Sequence, residues 1–386
     1  MEAAGNAASG GHHGPSLSPK FFLSPHGWPY LLVPFIPLAI VLEFAHSAAG
    51  LIFFAAALGV IPTAALMGRA TEEVAAKSGP GIGGFLNVTF GNAPELIIAL
   101  FALNAGLQEV VKASLIGSIL GNILLVMGAS MLAGGLTGGR KVQKFDRTAA
   151  NIQALMLFLA VAALVMPAVF ELVEGQGLPG VNDERVSYDS TVEHLSLAVA
   201  IVLLACYGLG LLFSLKTHRD LFNPDYDQGE DTWNWSIRTS VIALAIAGVA
   251  VGVMSEILVG SISEASEAIG LSEFFIGVIV VAIVGNAAEH WVAVLVAMKD
   301  KMDLSVNIAI GSSAQIALFV APVLVITSFF LGEGPMPLVF NGFEIAGVIL
   351  AVLVAYGVTS EGESTWFEGV QLLALYLILG LTFFFA

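Results

Sequence analysis

The amino-acid sequence predicts an all-α integral membrane protein with about 11 transmembrane helices. Hydrophobic residues make up 57% of the 386 residues and charged residues only 11%, whereas a soluble domain carries about 25% charged residues. Apolar runs of roughly 20 residues, the length that crosses a bilayer, recur along almost the whole chain. Two of these runs contain a similar polar motif, GNAPE at residues 91–95 and GNAAEH at residues 285–290.

The predicted elements follow one another in a simple order. A tail rich in Gly, Ser, His and Pro, residues 1–27, is expected to be disordered, and one extra transmembrane helix follows it within 28–46. Five helices are expected in 48–217, an acidic loop in 218–236, and five more helices in 237–386. The predicted spans cover residues 28–44, 50–67, 79–103, 110–132, 149–172, 192–215, 237–259, 274–298, 304–330, 339–358 and 367–385.

The orientation in the membrane is predicted from the Lys and Arg residues, because cytoplasmic connections carry an excess of them. If the spans alternate, twelve of the 14 basic residues fall on one side. Only Lys112 and Arg185 fall on the other side. The tail and the 218–236 loop are therefore expected to be cytoplasmic.

The two motifs belong to a longer internal repeat. An offset of 194 residues maps Gly91 onto Gly285 and Glu95 onto Glu289, and it also maps GSILGN at 117–122 onto GSSAQI at 311–316. Each copy holds five spans, so the second copy enters the membrane from the opposite side. This pattern predicts two inverted-topology repeats, an architecture of secondary transporters that bind their substrate near the bilayer midplane between the copies.

The residue types of the motifs predict a site for a hard cation. A carboxylate inside a bilayer costs at least a few kcal/mol, so two at equivalent positions indicate a shared use. Each Asn stands three residues before its Glu and on the same helix face, the Gly residues allow close backbone approach, and Pro94 leaves a preceding carbonyl without its helical donor. Such an all-oxygen set suits Ca²⁺, and a zinc-like site is less expected. The predicted metal-site residues are Glu95, Glu289, Asn92, Asn286, Gly91 and Gly285.

Protons are expected to compete with the cation at this site. Two neighbouring carboxyl groups in a dry environment favour the protonated form when no cation is present. A site that holds either one divalent ion or protons is the working part of an antiporter, and two Glu residues indicate at least two protons per divalent ion.

Further polar residues in the spans are candidates for an ion path, although they could equally bond across helices. For Glu73 and Glu267, which end the second and seventh spans, a solvated helix end is an alternative. The acidic loop could attract cations by its field or be a solvated linker. The ion-path candidates are Ser118, Asn122, Ser312, Ser313, Gln315, Glu73, Glu267 and His290.

The stretches GNAPELIIAL, GNAAEHWVAV, SILGNILLVMG and SSAQIALFVAP make the chain similar to the Ca²⁺/H⁺ antiporter family of the cation/Ca²⁺ exchanger superfamily. The resemblance implies an exchanger that moves cytosolic Ca²⁺ against protons, with Glu95 and Glu289 coordinating the ion. It implies a plasma or inner membrane in a prokaryote and a vacuolar-type membrane in a eukaryote. Sodium-driven relatives carry Ser, Thr or Asp around their paired acids, so Gly, Asn and Ala here favour protons as the driver.

Other functions remain open from the sequence. The first alternative is a related divalent-cation exchanger that is driven by Na⁺ or carries Mn²⁺. A more distant one is a membrane-embedded enzyme with paired carboxylates as acid and base, although GNAAEH is not the HExxH pattern of metalloproteases. A channel is less expected because titratable acids in an inverted repeat favour alternating access. Ca²⁺ and H⁺ are the expected substrates and the lipid bilayer is the expected surrounding, with no organic cofactor and no nucleic-acid partner.

Overall fold

The structure is a computed structural model that describes residues 19–22, 24, 27–78, 83, 85–86, 89–139, 141–181, 188–218 and 233–386. The predicted tail at 1–27 and the acidic loop at 218–236 lie largely outside the described residues. Arg140, Arg185 and Arg219, which entered the orientation argument, lie outside them as well.

Within this part of the chain, nine helices are apolar and long enough to cross a membrane, and two shorter apolar helices accompany them. The helical membrane architecture predicted from the sequence is therefore confirmed. The long helices are α2 (Ala49–Lys77), α4 (Gln108–Leu136), α5 (Arg147–Val173), α6 (Ser190–Thr217), α7 (Ile237–Gly260), α8 (Glu273–Met298), α9 (Met302–Ser328), α10 (Gly342–Thr359) and α11 (Trp366–Phe385). The shorter ones are α1 (Trp28–Phe44) and α3 (Ala93–Asn104).

Helices α2, α3 and α10 begin or end at residues that differ from the predicted spans. Helix α2 continues beyond residue 67, because Arg69 pairs with Glu73 one turn later at 3.2 Å and charged residues so paired continue a helix. The third span is interrupted by a turn before α3 begins at Ala93. Helix α10 begins after residue 339 because the Asn341 side chain accepts the backbone N–H groups of the first turn and Glu344 returns the contact, which forms a capping box.

Two contacts between connections agree with helices that run in alternating directions. A two-residue strand β1 (Gln143–Lys144) between α4 and α5 pairs antiparallel with β2 (Glu363–Ser364) between α10 and α11. At the other face, the Gln108 side chain at the start of α4 donates to the carbonyl of Gly334, between α9 and α10, at 2.9 Å. Each contact joins two connections that lie on the same side of the membrane if the helices alternate in direction.

Lys112 is the one described basic residue that alternation places away from the others, and it is not a loop residue. Its side chain is 1% exposed. The ammonium group donates to the carbonyl of Val339 at 2.7 Å and pairs with Glu109 at 2.6 Å. The charge is therefore neutralised inside the protein, so it does not weaken the asymmetry of exposed basic residues.

The core lies around α4 and α9, which bury 83% and 72% of their most apolar stretch. Helices α6, α7 and α11 bury far less of theirs, between 22% and 28%. They turn large apolar side chains outward, such as Leu209 and Val249, which are 66% and 70% exposed. Because a soluble protein rarely exposes so much apolar surface, these helices face lipid.

The packing pattern is nearly unchanged when the two predicted copies are exchanged. Helix α2 lies along α7, its counterpart, and contacts α8, as α7 contacts α3. Helix α4 contacts α11 and α10, and its counterpart α9 contacts α6 and α5. This arrangement places the two motif-bearing helices, α3 and α8, against the first helix of the other copy.

Candidate ion-binding site

Glu95 reaches the second motif because of how α3 begins. The chain makes a turn at Gly91 and Asn92, and α3 starts at Ala93 with Pro94 in its first turn. Proline is well suited to this position, where no N–H is needed. Glu95 follows within the first turn, so a helix N-terminus with its partial positive charge stands beside the carboxyl group.

Glu95 packs directly on Gly285 of the second motif. A Cβ atom placed on Gly285 would lie 3.3 Å from Cγ and 3.6 Å from Oε1 of Glu95. A side chain at residue 285 would therefore crowd the Glu95 side chain at Cγ, next to the carboxyl group. The two motifs, distant in sequence, meet at this point, and glycine in the second motif provides the space for the acid of the first.

Glu289 completes the acidic pair from α8. It stands one turn after Gly285 and therefore on the same helix face. Its Oε2 atom accepts a hydrogen bond from the Ser312 hydroxyl of α9 at 3.2 Å. Because Glu95 contacts Gly285, the two carboxyl groups approach each other from α3 and α8. Both side chains are partly buried, so the two acids meet inside the helix bundle.

The two motif asparagines use their amide groups in the same way. Asn286 donates from Nδ2 to the Ser118 hydroxyl at 3.1 Å and to the carbonyl of Ala282 at 2.9 Å. Asn92 donates from Nδ2 to Oε1 of Gln315 at 2.7 Å. Each Asn thus bonds to a central helix of the opposite copy, while its amide oxygen stays available.

Three buried oxygens of the motifs have no hydrogen-bond partner among the described residues. They are Oδ1 of Asn92, Oδ1 of Asn286 and Oε2 of Glu95. A buried acceptor left without a donor costs about 1–3 kcal/mol, and a bound cation or a proton would remove this cost. All the candidate metal ligands are oxygen atoms, and Ca²⁺ is bound by oxygen ligands in proteins.

The remaining contacts separate the predicted ion-path residues into two groups. Ser118, Ser312 and Gln315 touch the motif residues as described. His290 bonds through Nε2 to Oδ1 of Asn122 at 3.0 Å, so Asn122 also stands beside the second motif. Ser313 stays apart, because its hydroxyl donates to the carbonyl of Ala309 within its own helix at 2.9 Å.

Glu73 and Glu267 do not join the acidic pair. Glu73 is 1% exposed, and it accepts the backbone N–H groups of Trp233 and Trp235. Glu267 is exposed on the short helix Ile262–Ile269. Glu73 is therefore held inside the protein by the chain before α7, and Glu267 lies at a solvated helix surface, the alternative that the sequence left open for a helix end.

Glu72 is not among the residues predicted from the sequence. Its side chain is 57% exposed and pairs with Arg69 at 3.1 Å, and its helix α2 packs against α8, which carries Glu289. The only signal in the sequence is the three-residue spacing from Arg69, which many solvated helix surfaces share. Packing between α2 and α8 is not visible in any local pattern.

Central helices α4 and α9 change winding beside the site. Residues Gly121–Val126 of α4 and Ile316–Val320 of α9 form π-helical turns. These two segments occupy nearly equivalent positions under the 194-residue offset. Such turns are rare inside α-helices and are frequent at functional sites. Here they begin next to the residues that bond the motifs, Asn122 and Gln315.

Known proteins resemble the chain over almost its whole length. A Ca²⁺/H⁺ antiporter of Aphanothece halophytica is 45% identical over 373 residues, which cover 92% of this chain and 95% of the relative. The Ca²⁺/H⁺ antiporter ChaA of Bacillus subtilis is 43% identical over 353 residues, covering 90% and 96%. The solved structure of native YfkE matches with a TM-score of 0.78 at 39% identity, covering 93% of this chain and 99% of YfkE.

The family assignment follows from these matches together with the family's own sequence model. That model, described as sodium/calcium exchanger protein, matches the chain twice, at residues 48–216 and 239–385. The resemblance predicted from the two motifs is thereby confirmed. The chain belongs to the sodium/calcium exchanger protein family, and its relatives there include Ca²⁺/H⁺ antiporters.

Proposed function

We propose that this protein exchanges Ca²⁺ for protons across its membrane, with Glu95 and Glu289 binding either the metal ion or protons. The observation that carries the proposal is the contact of Glu95 with Gly285, which stands one turn before Glu289 on the same helix. Relatives at 43% to 45% identity are Ca²⁺/H⁺ antiporters, which supports the substrate and the driving ion.

The proposed ligands of the ion are the oxygens of the two motifs. Both carboxyl groups supply charge, and the free Oδ1 atoms of Asn92 and Asn286 supply neutral oxygens. Among the described residues, no three side chains of His, Cys, Asp or Glu group closely enough to hold a metal ion. Amide, hydroxyl or carbonyl oxygens must therefore complete the coordination of Ca²⁺, which takes six to eight oxygens.

Two inverted five-helix copies are proposed to carry the ion by alternating access. The family model matches each half separately, and the helix contacts are nearly the same after the copies are exchanged. We propose 28–46 as the extra helix, 48–217 and 237–386 as the copies, and 218–236 as the connecting loop. Because each copy has five helices, an odd number, the copies have opposite topology. In the proposed mechanism, the conformation open to one side becomes the conformation open to the other side when the two copies exchange conformations.

We propose that the tail and the loop between α6 and α7 face the cytoplasm. The described basic residues other than the buried Lys112 belong to the face that carries these segments. Nine of them, with side chains in the described part, are Arg69, Lys77, Lys141, Lys144, Arg147, Lys216, Arg238, Lys299 and Lys301. The excess of positive charge on this face supports the assignment.

The alternatives are less well supported. A Na⁺-driven or Mn²⁺-carrying exchanger would use the same acid pair, and the names of the relatives favour protons and Ca²⁺. An enzyme that uses the acids as proton donor and acceptor has no support from these relatives, which are transporters.

Transport into sealed vesicles tests the proposal. The purified full chain is reconstituted, a pH gradient is imposed without Na⁺, and ⁴⁵Ca²⁺ accumulation is followed with and without a protonophore. We expect accumulation that depends on the pH gradient and disappears when the gradient is dissipated. Accumulation driven only by a Na⁺ gradient would favour the sodium-driven alternative, and stronger uptake of ⁵⁴Mn²⁺ in the same vesicles would favour the Mn²⁺ carrier.

A further inference from the structure

Glu73 is a buried charge outside the ion site that several groups contact. Its side chain is 1% exposed and pairs with Arg69 at 3.2 Å and with Lys77 at 3.7 Å. The same carboxylate accepts the backbone N–H groups of Trp233 at 2.5 Å and Trp235 at 3.1 Å. Breaking such a buried, charge-assisted contact is costly, because one partner is left buried and unpaired.

These contacts hold the start of the second copy to the end of the first helix of the first copy. Trp233 and Trp235 directly precede α7, whose N-cap is Ser236, and Glu73 lies near the end of α2. The guanidinium of Arg69 also stands over the Trp233 ring, 4.8 Å from its centroid. We call the contacts of Glu73 and Arg69 with Trp233 and Trp235 the linker clasp.

Aromatic rings from the start of the chain enclose the linker clasp. Trp233 packs edge-on against Phe21 with ring centroids 5.8 Å apart and lies 6.2 Å from Tyr30. Trp235 packs against Trp233 at 5.2 Å. Trp233 and Trp235 are therefore only partly exposed, and aromatic packing of this kind adds about 0.5–1.5 kcal/mol beyond burial.

Among the residues that the structure describes, the equivalent position in the second copy makes no such clasp. The 194-residue offset maps Glu73 onto Glu267, and Glu267 is exposed on a short helix. Under the proposed exchange of roles between the copies, a contact that only one copy makes contributes unequally to the two facing states. The end of the α2–α7 pair that carries Glu73 is therefore held by contacts that the described residues do not make at the end near Glu267.

We infer that Glu73 is a positioning residue whose clasp on Trp233 and Trp235 sets the balance between the cytoplasm-facing and the opposite-facing state. This inference rests on the proposed antiport by two inverted copies. The apparent affinity of a ligand falls with the fraction of protein in the state that can bind it. A change in the balance therefore raises the apparent KM for Ca²⁺ on one face and lowers it on the other.

The test measures the apparent KM for Ca²⁺ separately from each face, in right-side-out and inside-out vesicles of the full chain. We expect Glu73→Ala to shift the two KM values in opposite directions, each by about fivefold, the lower end of typical coupling between sites. Glu73→Gln, which keeps one acceptor oxygen and loses the ion pairs, should shift them less. The control is Glu264→Gln, an exposed acid on the helix after α7, which should shift neither value.

A second variant changes the other side of the linker clasp and leaves Glu73 in place. Trp233→Ala removes the ring over Arg69, and its KM values should move in the same directions as those of Glu73→Ala. This variant replaces Glu73→Ala if the latter fails to fold. The inference would be overturned if the KM values on both faces changed in the same direction, or if only the maximal rate fell while both KM values stayed unchanged. Failure of the proposed function is distinguishable, because wild-type vesicles would then show no pH-driven uptake at all.

Discussion

Glu95 of the first motif rests on Gly285 of the second, with only 3.3 Å between Cγ of the acid and the position that a Cβ atom at residue 285 would occupy. This contact joins the two halves of the chain at the proposed ion site. It explains why a glycine stands one turn before Glu289, and it makes the site sensitive to one added methyl group.

Replacing Gly285 with Ala should strongly reduce transport. The added methyl group would press on the Glu95 carboxyl group, and displacement of a ligand by a fraction of an ångström weakens cation coordination. We expect at least a tenfold loss of ⁴⁵Ca²⁺ uptake, while overpacking costs about 1–3 kcal/mol of stability. The control is Gly357→Ala in α10, where a Cβ atom meets nothing within 4 Å. Equal activity of the two variants would contradict the contact.

Glu95→Gln should abolish Ca²⁺ transport and leave folded protein in the membrane. A neutral amide of the same size cannot neutralise the cation or release a proton. The measurement is pH-driven ⁴⁵Ca²⁺ uptake at matched protein content, with size-exclusion chromatography as the check on folding. Glu264→Gln, a surface substitution, serves as control. Uptake at the wild-type rate in Glu95→Gln would reject the assignment of this residue.

Two neighbouring serines of α9 should respond differently to removal of the hydroxyl. Ser312 donates to Glu289, whereas Ser313 donates to its own helix. A hydrogen bond to a charged group contributes about 1.5–3 kcal/mol, so Ser312→Ala should raise the apparent KM for Ca²⁺ by about tenfold or more. Ser313→Ala should change it less than twofold. The reverse order would mean that Ser313 faces the ion.

Ca²⁺ should stabilise the purified protein against heat, because only the folded state assembles the acidic pair. A ligand at 100 times its Kd stabilises by about 2.7 kcal/mol. We expect the melting temperature to rise with Ca²⁺, to fall back with excess chelator, and to rise less at acidic pH, where protons occupy the carboxyl groups. Glu289→Gln should lose most of the rise. An equal rise in that variant would place the stabilising Ca²⁺ elsewhere.

The proposed orientation can be measured by labelling single cysteines. The native Cys206 is first replaced by Ser, and cysteines are then introduced at the exposed positions Gln176, between α5 and α6, and Lys301, between α8 and α9. A membrane-impermeant maleimide should label Lys301→Cys only from the cytoplasmic side and Gln176→Cys only from the other side. Labelling in the opposite pattern would invert the topology.

The membrane architecture and the location of the two motifs could be predicted from the amino-acid sequence alone. Both depend on local information: apolar length predicts a spanning helix, and a repeated GNA pattern marks equivalent positions regardless of how the chain folds. The family followed from the same residues, because Glu95 and Glu289 stand in long specific stretches. Helix ends were harder to predict. The apolar residues before Asn341 extend the apolar run, whereas the helix itself begins only after the Asn341 cap.

Which polar residues contact each other could not be predicted without the folded structure. Ser312 and Ser313 are neighbours in an apolar helix, and the direction of each hydroxyl depends on what packs opposite. Glu73 and Glu267 occupy equivalent positions in the repeat, and yet one is buried by Trp233 and Trp235 while the other is exposed. The physical reason is that burial and partner choice arise from contacts between segments about 160 residues apart, which no local pattern encodes.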